Sequence, residues 1–246
     1  YYDLSKKIYT NVDKILVTSR MFQNYFIEEF GISEDRIEYL PQYAISEFDN
    51  IPNQPEKNTT DFVFAGNVGT AQNLYVILKA AKSVQQEELS DNGKKIYFHI
   101  IGDGQELDNL KKYAQDNRIQ NVIFHGRKPS EEMPRYYAFA DAMIVTLTAN
   151  PLVSLTLPAK VQSYMAAEKP ILASANGEIA NVIKESGAGF CSQADDVQGF
   201  ADIVKQFLDR NNRDNMGKRA KEYYDNNFSR EKVMNKLEKI LLEEIN

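Results

Sequence analysis

Short, uninterrupted apolar segments alternate with helix-forming stretches along most of the chain, and this alternation limits the possible folds most strongly. The apolar segments span residues 62–65, 96–101, 122–125, 142–147 and 170–173, with a shorter one at 189–191. Strands that are apolar throughout are buried on both faces, as in a parallel sheet covered by helices. Because crossovers between parallel strands are right-handed, the pattern predicts an α/β fold with a Rossmann-like, doubly wound parallel sheet.

Helical periodicity predicts the elements between these strands. Helices are expected at residues 72–88, 107–113, 133–139, 158–167, 179–185, 197–208, 213–224 and 229–245. In the last of these segments Val233, Leu237, Ile240 and Leu241 have the spacing of one apolar helix face. The C-terminal segment is therefore predicted to be an amphipathic helix.

The first 60 residues follow a different pattern. A strand is expected at Lys14–Thr18, then a helix capped by Ser19 and running to Phe30, then a strand at Ile37–Leu40. Residues 46–60 contain two prolines and three asparagines without periodicity, which predicts a linker.

Composition excludes several classes of partner and site. The 246 residues include 29 basic and 35 acidic side chains, which gives a net charge of −6. Nucleic acids and anionic membranes attract a basic excess, so neither is expected as a partner. The single cysteine, Cys191, cannot form an internal disulfide and is expected to be a small buried hydrophobe, and no Cys/His cluster predicts a metal site.

No targeting or membrane-spanning segment is visible in the sequence. No apolar run approaches the roughly 18 residues that span a bilayer, and no signal-peptide core is present. We therefore expect a cytoplasmic protein without a transmembrane segment, and a peripheral contact of the full-length protein with a membrane stays open. Because the chain begins with Tyr1 rather than Met, we expect it to be part of a longer polypeptide.

Glycines follow two of the predicted strands. Ligands of doubly wound sheets bind beyond the carboxyl ends of the strands, so these loops are candidate binding sites. The glycines of Gly66–Gly69 either let backbone N–H groups approach a phosphate or serve a tight turn. In Gly102–Gly104, Asp103 is expected to cap the following helix. No Gly-x-Gly-x-x-Gly occurs at Gly66, so a dinucleotide fingerprint is absent.

Two cations follow a third predicted strand. Arg127 and Lys128 come directly after Gly126, before a helix that Ser130 is expected to cap. They suit a bound anion or a solvated basic loop equally well.

A further lysine is expected in the first turn of a helix. Pro158 suits the start of a helix, and Lys160 and Ser163 are three residues apart on one face. A cation in the first turn opposes the helix dipole. The placement of Lys160 therefore favours a bound anion over an ordinary solvated lysine.

Several catalytic motifs are missing. No Asp-x-Asp occurs, so no magnesium–diphosphate clamp is predicted, and neither a Gly-x-Ser-x-Gly elbow nor a Gly-x-x-x-x-Gly-Lys loop is present. The two histidines, His99 and His125, lie within strand patterns. Both are expected to be packed strand residues rather than bases, and His125 is the better placed because it adjoins Gly126.

Taken in order, several segments resemble the donor-binding half of GT-B fold glycosyltransferases of the group 1 (family 4) type. They are Phe64–Asn73, Ile100–Leu107, Val122–Arg127, Met133–Asp141 and Tyr164–Leu172. Asp13–Ser19 and Ile37–Gln42 are similar to the end of the acceptor domain. The resemblance divides the chain into an acceptor-domain tail (1–45), a hinge or linker (46–60), a donor-binding domain (61–228) and a C-terminal amphipathic helix (229–246).

The resemblance implies a retaining, hexosyltransferase-like enzyme of glycan or polysaccharide biosynthesis that uses a nucleoside-diphosphate sugar. The base would lie near Arg127 and Lys128, and the diphosphate near Lys160. No metal or other cofactor is expected, and a glycan or lipid-linked acceptor would be recognised mainly by the absent half. The implied donor-binding residues are Gly66, Asn67, Gly69, Gln72, Gly102, Asp103, Arg127, Lys128, Pro158, Lys160 and Ser163; no catalytic residue is identified.

The chain departs from the family pattern at four positions. Leu155 and Ser163 stand where the family usually carries a pair of glutamates, and Asn67 and Gln72 stand where a basic pair is common. The contacts of those family residues are therefore not carried over. A Pro-x-Lys element found in a branch of the family matches Pro158–Lys160.

Two other functions remain open from the sequence. A nucleotide-sugar epimerase of the same fold would share the donor contacts and would need a base, for which His125 is the candidate. A non-catalytic nucleotide-sugar-binding subunit would explain the missing glutamate pair.

Overall fold

The computed structural model describes residues 2–48, 51–209, 213 and 215–245. The predicted α/β architecture is confirmed: a six-stranded parallel sheet forms the larger part, and a two-stranded parallel sheet lies near the N-terminus. None of the helices in the described residues is long and apolar enough to span a membrane.

The N-terminal unit, which we define as residues 2–40, contains two helices and two strands. They are α1 (Tyr2–Thr10), β1 (Ile15–Val17), α2 (Met21–Phe30) and β2 (Ile37–Tyr39). The strands pair in parallel from Ile15–Ile37 to Val17–Tyr39. A small core made by apolar residues of both strands and the end of α2 holds the unit together: Ile15, Val17, Phe30, Ile32 and Ile37.

The larger sheet has the strand order of a dinucleotide-binding fold. Its strands are β3 (Thr59–Ala65), β4 (Lys95–Ile101), β5 (Val122–Gly126), β6 (Ala142–Thr146), β7 (Ile171–Ser174) and β8 (Gly189–Ser192). They are arranged β5-β4-β3-β6-β7-β8 with all neighbours parallel. The winding reverses between β3 and β6, and at such a switch point the loops diverge and leave room for a ligand.

Helices cover both faces of this sheet. They are α3 (Tyr75–Gln86), α4 (Leu107–Asp116), α5 (Met133–Phe139), α6 (Pro151–Ser154), α7 (Ala159–Ala166), α8 (Glu178–Ser186), α9 (Val197–Leu208), α10 (Met216–Asn227) and α11 (Arg230–Ile245). Phe62 and Phe64 of β3 pack toward α3, α4 and α9, whereas Val63 and Ala65 pack toward α5, α7, α8 and α10. All four side chains are buried, as expected for a strand with two covered faces.

Three predicted helix caps are wrong. Arg20 occupies the N-cap position of α2, and the buried hydroxyl of Ser19 instead donates to the carbonyl oxygen of Leu155. Asp103 accepts a hydrogen bond from the N–H of Gly104 (2.8 Å), three residues before the N-cap of α4. Ser130 opens a short 3₁₀ turn, and α5 begins only at residue 133. Capping depends on backbone torsions that the sequence does not specify.

Some element boundaries also differ from the prediction. The helices α1 and α6 were not expected, and the segment predicted as helix 72–88 begins as a 3₁₀ turn, Thr70–Gln72, before α3. Part of the predicted linker is ordered: Phe48 stacks on Tyr137 at 4.6 Å, and β3 already begins at Thr59. Positions 49–50 of that linker, 214 of the predicted helix 213–224, and residue 1 lie outside the described residues.

Candidate functional site

The loops that follow β3, β4 and β5 are joined to one another at the carboxyl edge of the sheet. The N–H of Gly66 donates to the carbonyl oxygen of Ile101 (2.9 Å), and the N–H of Gly102 donates to that of Gly126 (2.9 Å). These bonds continue the sheet pattern one residue beyond the strands. The glycine-containing loops therefore form one continuous surface.

Glycine is required at two positions where these loops touch. A Cβ on Gly102, where φ is +142°, would lie 1.8 Å from the carbonyl oxygen of Gly66. A Cβ on Gly104 would lie 2.4 Å from the carbonyl oxygen of Val68. Close loop packing thus explains Gly102 and Gly104 without any ligand.

Side-chain amides hold the first glycine loop in shape. The side-chain oxygen of Gln72 accepts hydrogen bonds from the N–H of Gly69 (3.1 Å) and from the amide of Asn67 (3.3 Å). Asn67 and Gln72 stand where the family commonly carries a basic pair, and here they stabilise the loop instead. No sequence pattern predicts this pairing, because it depends on the turn at residues 70–72.

Lys160 projects from the start of α7 toward the first glycine loop. Pro158 is the N-cap rather than the first helical residue, so Lys160 is the second residue of the helix. Its ammonium lies 4.0 Å from the centre of the Phe64 ring, and a Cβ on Gly66 would lie 2.5 Å from it. Gly66 is thus the residue that leaves room for this cation.

The charge of Lys160 is not neutralised by the protein. Among the described residues, no carboxylate or carbonyl oxygen accepts a hydrogen bond from its ammonium. Burial lowers the pKa of Lys160 to about 7. A partly buried cation at the N-terminal end of a helix is disfavoured both by lost hydration and by the dipole, and a bound anion would relieve both.

A tyrosine on the same helix fixes this arrangement. The hydroxyl of Tyr164 donates to the carbonyl oxygen of Ala65 (3.1 Å) and accepts from its N–H (3.2 Å). Tyr164 lies one turn after Lys160 and is fully buried. It therefore anchors α7 to the end of β3, and its spacing from Lys160 is the sequence signal that could have identified it.

A cavity of about 340 Å³ opens at the carboxyl edge beside Gly66. We call it the carboxyl-edge cavity; its lining residues are Gly66, Asn67, Ile101, Gly102, Asp103, Arg127, Lys128 and Met133. Six of the predicted donor-binding residues are among them. Larger cavities lie elsewhere in the described residues, but this one combines loop backbone with two cations and a single carboxylate.

The remaining predicted residues do not line this cavity. Gly69 and Gln72 support the first loop, Lys160 lies beside Gly66, and Pro158 is the N-cap of α7. The hydroxyl of Ser163 donates within its own helix to the carbonyl oxygen of Ala159 (3.2 Å). The binding roles of all the predicted residues therefore stay predictions.

The two histidines belong to a hydrogen-bonded network below the edge of the sheet. His99 Nδ1 lies 2.9 Å from His125 Nε2, and His99 Nε2 lies 2.9 Å from Asp61 Oδ1. Lys57 donates to the other carboxylate oxygen of Asp61 (2.6 Å). Burial, His99 and Lys128 all lower the pKa of His125. His125 does not line the carboxyl-edge cavity, so the geometry does not support it as a base there.

The doubly wound parallel sheet is the fold of GT-B glycosyltransferases, and the cationic, glycine-lined cavity lies at the carboxyl ends of β3, β4 and β5. The family model described as glycosyl transferases group 1 matches residues 46–223. The chain therefore belongs to the group 1 glycosyltransferase family.

Named relatives agree with this assignment. The chain is 29% identical over 215 residues to the probable glycosyltransferase WbjE of Pseudomonas aeruginosa, covering 82% of this chain and 51% of that protein. It is 23% identical over 238 residues to the putative colanic acid biosynthesis glycosyl transferase WcaI of Escherichia coli, covering 91% of this chain and 56% of that protein. The chain thus spans about half the length of these relatives.

Solved structures share the fold at low sequence identity. A glycosyltransferase from Rickettsia africae superposes with a TM-score of 0.81 at 15% identity, covering 98% of this chain and 67% of that one. Anabaena Alr3699/HepE, crystallised with UDP and glucose, superposes with a TM-score of 0.78 at 14% identity, over 98% of this chain and 67% of that one.

Proposed function

We propose that this chain forms the donor-binding half of a glycosyltransferase that takes a sugar from a nucleoside-diphosphate sugar. The observation that carries the proposal is the unneutralised, partly buried ammonium of Lys160 beside the glycine loop at Gly66. A diphosphate supplies the negative charge that this position lacks. The structure of Anabaena Alr3699/HepE with UDP and glucose supports the choice of donor.

The proposed donor extends from α7 to the carboxyl-edge cavity. Its diphosphate contacts Lys160 and the first N–H groups of α7, which begin at Ala159. Its nucleoside lies in the cavity with Arg127 and Lys128. In this arrangement Lys160, Arg127 and Lys128 each have a negative or polar partner. The donor also covers the loop surface that the glycines leave free.

The proposed catalytic contribution of this half is electrostatic. As the glycosidic bond breaks, negative charge grows on the departing diphosphate. A fixed ammonium and fixed N–H dipoles aimed at that charge stabilise the transition state more than the ground state. We propose that Lys160 and the start of α7 do this without a metal ion, because Asp103 is the single carboxylate lining the cavity.

The finer parts of the proposal follow the family resemblance. The transfer retains the anomeric configuration, the sugar is a hexose or hexose-like unit, and the acceptor is a glycan or lipid-linked molecule of polysaccharide biosynthesis. The name of the relative WcaI, a putative colanic acid biosynthesis glycosyl transferase, supports a role in polysaccharide biosynthesis. The remainder of the polypeptide would recognise the acceptor.

Product analysis on the complete gene product tests the proposal. The protein is incubated with a panel of uridine, guanosine and adenosine diphosphate sugars and with lipid-linked and oligosaccharide acceptors. We expect one donor to yield a glycosylated acceptor whose NMR spectrum shows the anomeric configuration of the donor. An epimerised sugar nucleotide would support an epimerase instead, and tight donor binding without turnover would support a non-catalytic subunit.

A further inference from the structure

A buried carboxylate joins the N-terminal unit to the larger domain. Glu178, the first residue of α8, is only 2% exposed. Its Oε1 accepts a hydrogen bond from the N–H of Arg20 (3.1 Å), and its Oε2 accepts one from the N–H of Met21 (3.2 Å). Both donors lie at the start of α2, 157 and more residues away in the sequence.

The position of Glu178 explains why this carboxylate can be buried. The N-cap residue of α2, Arg20, makes no capping bond with its own side chain, so the free N–H groups of that helix need an acceptor. Glu178 supplies it from another element, and it also lies in the first turn of α8. The partial positive ends of two helices therefore face one negative charge, which offsets the cost of removing it from water.

A second bond ties the same two parts together. The buried hydroxyl of Ser19 donates to the carbonyl oxygen of Leu155, in the segment between β6 and α7. Gly177 brings the loop before α8 against this segment, since a Cβ there would lie 2.1 Å from the carbonyl oxygen of Ser154. We define the docking contact as the bonds from Ser19, Arg20 and Met21 to Leu155 and Glu178.

The docking contact is close in sequence to the proposed diphosphate position. Leu155 lies five residues before Lys160, in the segment that leads directly into α7. The N-terminal unit therefore contacts this segment at Leu155, and Lys160 lies at its other end. A reaction between groups carried by two parts of a protein depends on how those parts are held together.

We infer that Glu178 is a positioning residue for sugar transfer, because it holds the N-terminal unit against the segment that leads to Lys160. The inference rests on the proposed function. The docking contact consists of hydrogen bonds to backbone groups that water can satisfy equally well when the parts separate. Glu178 therefore favours the arrangement in which the two parts are in contact.

The test uses the near-isosteric variant Glu178→Gln in the complete gene product. An amide retains one acceptor oxygen and turns a donor toward the second N–H, so one of the two bonds is lost. Because a bond to a charged group is worth a tenfold or greater change in equilibrium, we expect kcat to fall about tenfold. The Kd for the nucleoside diphosphate should change by less than about threefold, since no donor contact is altered.

A second variant and a matched control accompany it. Ser19→Ala removes the other bond from the opposite side of the contact and should lower kcat in the same direction without changing the diphosphate Kd. Glu222→Gln makes the same charge change at an exposed position of α10, outside the docking contact. It should leave kcat within about twofold of wild type.

Amide hydrogen exchange of residues 19–24 reports on the contact independently of catalysis. Faster exchange in Glu178→Gln, together with lower kcat and an unchanged diphosphate Kd, is the expected result. Faster exchange with unchanged kcat would overturn the positioning role, and so would a Kd that weakens in parallel with kcat. A wild-type protein that transfers no sugar would overturn the proposed function itself, before any variant is compared.

Discussion

The ammonium of Lys160 lies 4.0 Å from the centre of the Phe64 ring, at the point where the chain leaves β3 and turns at Gly66. The aromatic face partly compensates the charge, and such a contact is worth about 0.5–2 kcal/mol. It does not supply a hydrogen-bond acceptor. The ring therefore orients the lysine while leaving its three N–H donors available to an anion.

Gly66→Ala should weaken diphosphate binding by moving this lysine. The added Cβ would lie 2.5 Å from the ammonium, and φ at this position is +145°. We expect an approximately tenfold rise in the diphosphate Kd, measured by calorimetry, together with a lower melting temperature. Gly93→Ala is the matched control, because Gly93 also has a positive φ (+82°) but open space around it. It should lower stability and leave binding unchanged; equal binding in both variants would show that Gly66 does not serve Lys160.

The pH dependence of binding follows from the pKa of Lys160. Burial lowers this pKa to about 7, so half of the free protein carries a neutral lysine at that pH. A bound anion favours the charged form, and binding therefore takes up protons. As pH rises from 7 to 9 the diphosphate Kd should increase by up to about tenfold per unit, while the last phosphate proton, with a pKa of about 6, is already mostly lost at pH 7. Lys160→Ala, titrated over the same range, should lack this dependence; a parallel slope in both proteins would assign it to another group.

Replacing both Arg127 and Lys128 with Ala should weaken binding of the nucleotide and of the intact nucleotide sugar by a similar factor. Both residues line the carboxyl-edge cavity, on a different loop from Lys160. The comparison is made by calorimetry with a nucleoside diphosphate and its sugar conjugate. Replacing the exposed pair Lys111 and Lys112 removes the same charge from α4 and should change neither affinity. An effect on the sugar conjugate alone would place the base elsewhere.

Asp61 should make folding stability depend on pH below 4. Burial raises the pKa of Asp61, but hydrogen bonds from His99, Lys57 and Thr59 outweigh it and lower the pKa to about 2. Ionised Asp61 therefore stabilises the folded state at pH values above the unfolded pKa near 3.9, and this contribution is lost as pH falls toward 2. Its size is about 2 kcal/mol.

Urea unfolding of Asp61→Asn measures this contribution. The variant should be less stable than wild type at pH 7 by about 2 kcal/mol, and the difference should shrink between pH 4 and pH 2. Asp108→Asn is the control, since Asp108 is 97% exposed and should show no such change. A difference that stays constant with pH would mean that Asp61 acts through packing rather than charge.

The strands were predictable because their residues have only one stable environment. Phe62 to Ala65 and Ala142 to Val145 are apolar at every position, and segments of that kind are stable only between two layers of helices. The predicted caps at Ser19, Asp103 and Ser130 were wrong because a short polar side chain before a helix has several competing partners. Ser19, for example, bonds to the distant carbonyl oxygen of Leu155.

The candidate site was predictable only where backbone flexibility and charge are visible in the sequence. The glycines at 66 and 102 and the cation at Lys160 marked the loops that the fold brings together. The roles of Gln72 and Glu178 were not predictable. Each acts through a hydrogen bond whose partner is chosen by the tertiary structure, within the loop for Gln72 and 157 residues away for Glu178.

Calorimetric titration of Lys160→Ala shows whether Lys160 binds the diphosphate. Uridine, guanosine and adenosine diphosphates are titrated into wild type, into this variant and into Lys112→Ala, an exposed lysine on α4, each with and without EDTA. Because a charge-assisted contact to phosphate contributes about 1.5–3 kcal/mol, the loss of Lys160 should raise the diphosphate Kd ten- to a hundredfold. Lys160→Arg should recover only part of this, since a planar fork does not replace a compact ammonium.

We expect wild type and Lys112→Ala to bind one of these diphosphates equally well, and EDTA to change neither affinity. Lys160→Ala alone should bind that diphosphate weakly, at an unchanged melting temperature. Equal diphosphate affinity in Lys160→Ala and wild type would show that the anion binds elsewhere, and an affinity that collapses in EDTA would show that a metal ion holds it.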